Sequence, residues 1–547
     1  MPVGSPASRS PDHPAPSWRP DQQGSSSPSQ SSCLALLHIK RTRSSHVSQQ
    51  SDREGLDQGC VVRTDTGWVR GEVARDHRIF QGIPYAASPV GDLRWQSPQP
   101  VTAWRGVRAA TRPGDRCAQS TDLWGLPASD SEDCLYLNVT VPRSATPRRP
   151  RPVMVWLHGG SLTKGAGSDY DATRLTTRGD VVVVTVNYRL GVFGFFGHPG
   201  LAGSGAYGLE DQQAALRWVQ RNVAAFGGDP RNVTLFGESA GAHSVCAHLA
   251  SPTAAGLFHR AITQSTFCSL TAFTGSRLRP VMDLPMWVPK AAHEAHGATT
   301  AAALGCTDPK TAVTCLRGKP VSKLLAQEPL ALPGYGNAVL PADPATVFAQ
   351  GRFHRVPILT GITRDEGTLF TALIFPGLTE QGYQEGLRHI FGDNAAAIAA
   401  KYPSRGRPTQ AVAAIMSDLD WAWAGRASDR MLSEHTPVYS YGFADRTAPP
   451  IFPLPGGVEP LASHGSELSF LFPGAPLTRE QRKLGDMMIT YWSRFAATGD
   501  PNAPGLPRWS PVRTGHVHRL APGPGGVGVY DQDALHELAF WDRLSSH

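Results

Sequence analysis

The sequence has little to offer a structural metal. None of its eight cysteines stands in a C-x-x-C pair, and no histidine follows one at zinc-finger spacing. The nearest approach to a metalloprotease motif, His293-Glu294-Ala295-His296, is one residue short of H-E-x-x-H, so its two imidazoles would not share a helix face. Long apolar runs are missing as well. The longest β-branched stretch, residues 181 to 186, is far too short to cross a bilayer, so no membrane span is expected. A secretory signal is also lacking: the short apolar run from Cys33 to Ile39 is followed, not preceded, by Lys40, Arg41 and Arg43, and no small-residue cleavage site comes after it. Either the protein stays inside or the start is not the natural one. No concentrated basic face is visible. The formal charge of +7 permits weak attraction to anionic surfaces, but the densest cluster, Arg148-Arg149-Pro150-Arg151, reads as a Pro-flanked exposed connection and not as a nucleic-acid site.

What is present is a chain of ordinary globular composition, 40% hydrophobic and 18% charged. Residues 1–59, rich in Ser, Pro, Gln and Arg, are expected to be disordered. From about Cys60 the pattern becomes ordered, with a hairpin turning at Asp65-Thr66-Gly67 and a strand from Ile79 to Ala86. Order returns at residues 132–139. Two fully apolar runs follow, residues 152–158 and 181–188, and continuous hydrophobicity of that kind suits strands covered on both faces. A helix over residues 211–225, further strands near 260–265, 356–363 and 438–443, a helical middle, and a helix over 481–497 capped by Gly499 complete an alternation that builds an α/β sheet. With no internal repeat and no flexible linker, residues 60–547 read as one large domain with insertions.

The chemistry is expected at Asn232-Val233-Thr234-Leu235-Phe236-Gly237-Glu238-Ser239-Ala240-Gly241-Ala242, where an alternating β-branched run ends at a glycine, one serine follows, and strong helix formers come next. A serine in such a strand-turn-helix sits at a strained backbone angle, and the glycines two residues to either side leave room for strand and helix to close around it. A hydroxyl needs a base, and the base needs an orienting acid. Arg364-Asp365-Glu366-Gly367 leaves a strand with adjacent carboxylates, and Ser463-His464-Gly465 places an imidazole after another, giving the chain order serine, acid, histidine. Trp156-Leu157-His158-Gly159-Gly160-Ser161 follows an apolar strand, and its glycines let backbone N–H groups turn toward a developing oxyanion, with Ala240 supplying another.

Together with Glu132-Asp133-Cys134-Leu135-Tyr136-Leu137-Asn138-Val139 and Val186-Asn187-Tyr188-Arg189-Leu190-Gly191, these motifs resemble the type-B carboxylesterase and cholinesterase-like family from about Cys60 to Trp541. The resemblance implies an α/β-hydrolase fold, hydrolysis of a small-molecule carboxylic ester through an acyl-enzyme, and no cofactor. Position by position it implies Ser239 as nucleophile, Glu366 rather than Asp365 as acid, His464 as base, and Gly160, Ser161 and Ala240 as oxyanion donors, supported by Gly159, Glu238 and Ser265. Ser161 stands where the family commonly has Gly or Ala, and its side chain is expected to narrow the acyl side. Thr266 replaces a usual glycine beside Ser265. Trp124 matches a cholinesterase tryptophan that lines the alcohol pocket, although the loop here is shorter. The family also suggests disulfides Cys117–Cys134 and Cys306–Cys315, which favour export to an oxidising compartment despite the missing signal; the state of Cys33, Cys60, Cys246 and Cys268 stays open. The sequons at Asn138 and Asn232 fall in strands read as buried and are expected to carry no glycan. The alternatives are a fold-sharing adhesion protein without catalysis, or the same site working as an amidase, thioesterase or lipase.

Overall fold

Strands made of adjacent apolar residues need cover on both sides, and here they occupy the middle of a broad sheet. The computed structural model describes residues 61–545 apart from 122–125, 271–272, 274–275, 277, 283–284 and 328–329, so the expectations for residues 1–59 and for Trp124 lie outside the described residues. The strands are β1 (Val61–Arg63), β2 (Trp68–Arg70), β3 (Glu72–Val73), β4 (His77–Pro84), β5 (Val107–Ala109), β6 (Tyr136–Pro142), β7 (Arg151–Leu157), β8 (Val182–Val186), β9 (Gly228–Glu238), β10 (Arg260–Gln264), β11 (Val288–Pro289), β12 (Gly334–Tyr335), β13 (Ile358–Thr363), β14 (Val438–Phe443), β15 (Val517–Leu520) and β16 (Gly528–Val529). Eleven of them form one sheet in the order β16-β15-β14-β13-β10-β9-β7-β8-β6-β4-β3, while β1-β2-β5 and β11-β12 stand as small separate sheets. From β15 to β8 the neighbours run parallel; β16 at one edge and β6, β4 and β3 at the other are antiparallel.

Alternation along the strands splits the core into two layers. In β7, Val153, Val155 and Leu157 face one layer, while Met154 and Trp156 face the other; in β8, Val182, Val184 and Val186 oppose Val183 in the same way. The helices that matter for the site are α1 (Tyr207–Phe226), α2 (Ala240–Ala250), α3 (Gly367–Ile374) and α4 (Arg479–Thr498). Leu209, Leu216, Val219 and Val223 of α1 fill the first layer, and Leu484, Met488, Ile489, Trp492 and Phe495 of α4 fill the second. Each such side chain, once buried, stabilises the fold by about 1.5–3 kcal/mol. This is the α/β-hydrolase architecture, a mostly parallel mixed sheet with helices on both faces.

Several boundaries differ from the sequence reading for identifiable reasons. Helix α4 starts at Arg479, two residues before the expected Gln481, because Thr478 and Gln481 form a reciprocal capping box; it ends at Gly499 (φ 82°) as expected. Residues 132–135 are not strand. The guanidinium of Arg94 takes Glu132 in a buried two-pronged ion pair, Nε to Oε2 being 2.7 Å, and Cys134 is tied to Cys117, so pairing begins only at Tyr136. Arg151, read as part of an exposed connection, opens β7 and is buried, with Nε 2.7 Å from Asp180 Oδ2. Of the two sequons, Asn138 is buried and hydrogen-bonded to Gly82 N–H and to Thr185. Asn232 is only half-buried, near the start of β9, where it donates to the Ala497 carbonyl.

Both suggested disulfides are formed, Cys117–Cys134 and Cys306–Cys315, and a third, Cys246–Cys268, joins α2 to the segment after β10. The third bond closes a separation of 22 residues. For a loop of that size the chain-entropy model gives about 3 kcal/mol. A Cys246→Ala/Cys268→Ala double variant is therefore expected to lose about 3 kcal/mol in denaturant unfolding; an unchanged midpoint would show that the bond adds nothing.

Candidate active site

The parallel strands deliver their carboxyl ends to one edge, and the loops leaving β7, β9, β13 and β14 meet there. Ser239 lies between β9 and α2 with φ 54° and ψ −124°, a conformation an L-residue holds only when its surroundings enforce it. The enforcement comes from close packing. A Cβ on Gly241 would stand 2.0 Å from the Leu157 carbonyl oxygen, and one on Gly237 would be 2.7 Å from that oxygen and 2.6 Å from the Gly241 carbonyl carbon. The end of β7 therefore touches the turn directly, and the loop that follows β7 is brought over the serine.

That loop is a run of left-handed residues: Gly160 (φ 102°), Ser161 (φ 55°) and Leu162 (φ 57°). Gly160 O accepts from Thr163 and Lys164, while among the described residues neither Gly160 nor Ser161 donates its own N–H to a backbone carbonyl. Ala240 is the first residue of α2, so its N–H has no acceptor within the helix. His158 anchors the loop from behind: its ring stacks on Tyr188 at 4.4 Å, its carbonyl accepts from the Tyr188 hydroxyl at 2.6 Å, and burial pushes its imidazole down to about 4, leaving it neutral.

Glu366 and His464 meet at the same edge. Nδ1 of His464 lies 2.5 Å from Glu366 Oε2, and Glu366 Oε1 accepts from Thr363 N–H at 2.7 Å. Both side chains are buried. The adjacent Asp365 points elsewhere, to Arg446 Nε at 3.0 Å and Ala462 N–H at 3.2 Å, so of the two neighbouring carboxylates it is Glu366 that reaches the imidazole. Nε2 of His464 lies 3.2 Å from Glu238 Oε1, within ion-pair range but off the direction of a hydrogen bond. Ser239, Glu238, His464, Gly159, Gly160 and Ser161 line one cavity of about 290 Å³, and Leu369, Phe370, Ile451, Phe452 and Phe472 supply apolar walls. Ser265 shares the edge with φ 54°, but its buried hydroxyl bonds to none of these groups; its N–H goes to the Gly361 carbonyl. Leu126 also lines the cavity.

Two features of the site escaped the sequence reading. Glu467 is fully buried three residues after His464; its Oε1 accepts from Gln264, whose own oxygen accepts from Trp492 of α4. The i, i+3 spacing from the histidine was the only signal, and its partners lie more than 200 residues away in one case. The second is a π-helical turn, Ser417–Trp423, which sets Trp421 5.3 Å from the His464 ring while Phe370 stands at 4.8 Å. The electrostatics are unusual as a set. Burial opposes charge on His464, yet Glu238 and Glu366 outweigh it and push the imidazole up to about 9. Burial raises Glu238 to about 7 and, with repulsion from Glu238 and Glu366, Glu467 to about 8. His293, from the broken metal motif, is buried against the backbone near Gly197 and Gly205, with burial pushing it down to about 4.

The model of the Carboxylesterase family matches residues 58–541. Cocaine esterase of Oryctolagus cuniculus is 34% identical over 83% of this chain and 90% of its own length. Acylcarnitine hydrolase of Mus musculus is 34% identical, covering 87% and 88%. Para-nitrobenzyl esterase of Bacillus subtilis (strain 168) is 35% identical, covering 81% and 90%. A serine at a strand-to-helix turn that shares one cavity with a carboxylate-held imidazole is an arrangement suited to acyl transfer, and with these matches the chain belongs to the carboxylesterase family, as a carboxylic ester hydrolase.

Proposed function

We propose that residues 60–547 act as one hydrolase domain in which Ser239, Glu366 and His464 cleave a small ester through an acyl-enzyme. The observation that carries this reading is the 2.5 Å contact of His464 Nδ1 with Glu366 at the edge of the cavity that holds Ser239. With Nδ1–H turned to the carboxylate, Nε2 is left as the basic nitrogen, on the side of Glu238, in the cavity that Ser239 also lines. Nε2 takes the proton as the Ser239 hydroxyl attacks the ester carbonyl. The N–H groups of Gly160, Ser161 and Ala240 receive the oxyanion, and Nε2 returns the proton to the departing alcohol. Water then enters by the same route and releases the acid. Nε2 of His464 makes no hydrogen bond to Ser239, and contacts of this kind commonly tighten only once substrate is bound. Apolar walls and a volume near the lower end of ligand clefts, about 300–1,000 Å³, favour a compact uncharged ester. The three disulfides among the described residues support an oxidising compartment, and so export.

Ser239→Ala is expected to lower turnover of a short nitrophenyl ester about 10⁶-fold with the thermal transition unchanged; undiminished turnover would refute the nucleophile. The pH profile follows from the buried charges. The base works as neutral imidazole, and because neighbouring carboxylates raise His464 to about 9, the limb of kcat/KM rising with pH is expected above the ordinary histidine value of about 6.5. Glu238→Gln removes a charge that stabilises imidazolium, so the limb moves to lower pH; a limb left in place would contradict the coupling between Glu238 and His464.

A further inference from the structure

Two arginines separated in the sequence, Arg63 and Arg70, come onto one face of the small sheet β1-β2-β5, and that face is open. Val62 and Val69, paired across β1 and β2, are buried, and on that side the hairpin is tied to α1 by Asp65 N–H donating to Asn222 at 2.7 Å. The opposite face carries two cross-strand rows. One is Arg63, Trp68 and Val107; the other is Val61, Arg70 and Ala109. Trp68 is 44% exposed and Val107, directly across from it, 47%. The guanidinium of Arg63 lies 5.8 Å from the centre of the Trp68 ring. Arg70 and, in the turn before β5, Arg105 are exposed. Among the described residues no carboxylate ion-pairs with Arg63, Arg70 or Arg105; the acid of the hairpin turn, Asp65, is taken by Arg221 at 2.7 Å. Besides Asp65, the nearest exposed acid along the chain is Glu72, two residues beyond Arg70.

We propose that the outer face of this sheet, where Arg63, Trp68 and Val107 stand side by side with Arg70, is a docking surface for an anionic lipid headgroup layer. The charge on the face calls for an anionic partner. A soluble polyanion would satisfy the guanidiniums and leave the Trp68–Val107 pair in water, whereas a membrane interface takes both, since indole rings settle at headgroup depth and arginines hold acidic headgroups. No helix among the described residues is long and apolar enough to cross a membrane; the attachment proposed is peripheral. Each arginine brought to an acidic bilayer contributes about fivefold in partitioning, and that contribution fades as salt shortens the screening length. Such attachment would hold the hydrolase where apolar esters partition.

The test is co-sedimentation of the full chain with vesicles of phosphatidylcholine alone or mixed with phosphatidylserine. Binding is expected only to the mixed vesicles and falls with added salt. Arg63→Glu/Arg70→Glu is expected to weaken it at least about 20-fold and Trp68→Ala to weaken it severalfold, with ester turnover in solution unchanged in both, which shows that they remain folded. Equal binding to both vesicle types, binding untouched by the double variant, or retention on heparin without retention on acidic vesicles would overturn the proposal.

Discussion

The approach of the Leu157 carbonyl to the turn at Gly237–Gly241 is the constraint on which the site is built. Only two residues without side chains allow β7 and β9 to end in contact, and that contact brings the loop after β7, at Gly159, against Ser239. The strain is local. Ser161, Leu162, Ser239, Ser265 and Leu461 all hold positive φ, and each belongs to a segment leaving or reaching the carboxyl edge of the sheet. Residues in such conformations cost about 1–3 kcal/mol each. A sheet buried in two apolar layers is what can hold them.

Burial that rigidifies the edge also creates its electrostatic problem. Three carboxylates, Glu238, Glu366 and Glu467, surround one imidazole where water is excluded, and isolated charges there would be costly. The groups divide the task. Glu366 is satisfied by the Thr363 N–H and the imidazole, whereas burial raises Glu238 and Glu467 toward their neutral forms. Glu467 in turn is fastened through Gln264 to Trp492, so the packing of α4 on the sheet reaches the surroundings of the histidine. Arg446 keeps Asp365 out of this cluster altogether.

Much of this could be read from the sequence where local pattern and fold agree. The runs in β7 and β8 declare doubly covered strands, and G-E-S-A-G between a strand and a helix declares the turn at Ser239. Contacts between distant segments were not legible. Nothing near Glu132 announces that Arg94 will hold it out of the sheet, nothing near Cys246 names Cys268, and the π-helical turn at Ser417–Trp423 has no periodicity to betray it. The basic face is the same kind of case: Arg63 and Arg70 come onto one side only through the pairing of β1 with β2.

The central claim is that one hydroxyl, Ser239, is made nucleophilic by its surroundings. The most direct measurement is mass spectrometry of the native protein after exposure to a phosphorylating ester reagent that traps activated serines. A single phosphoryl adduct on the peptide containing Ser239, absent when the protein is denatured before exposure, is the expected result. An adduct confined to another serine, or none at all while ester turnover continues, would contradict it.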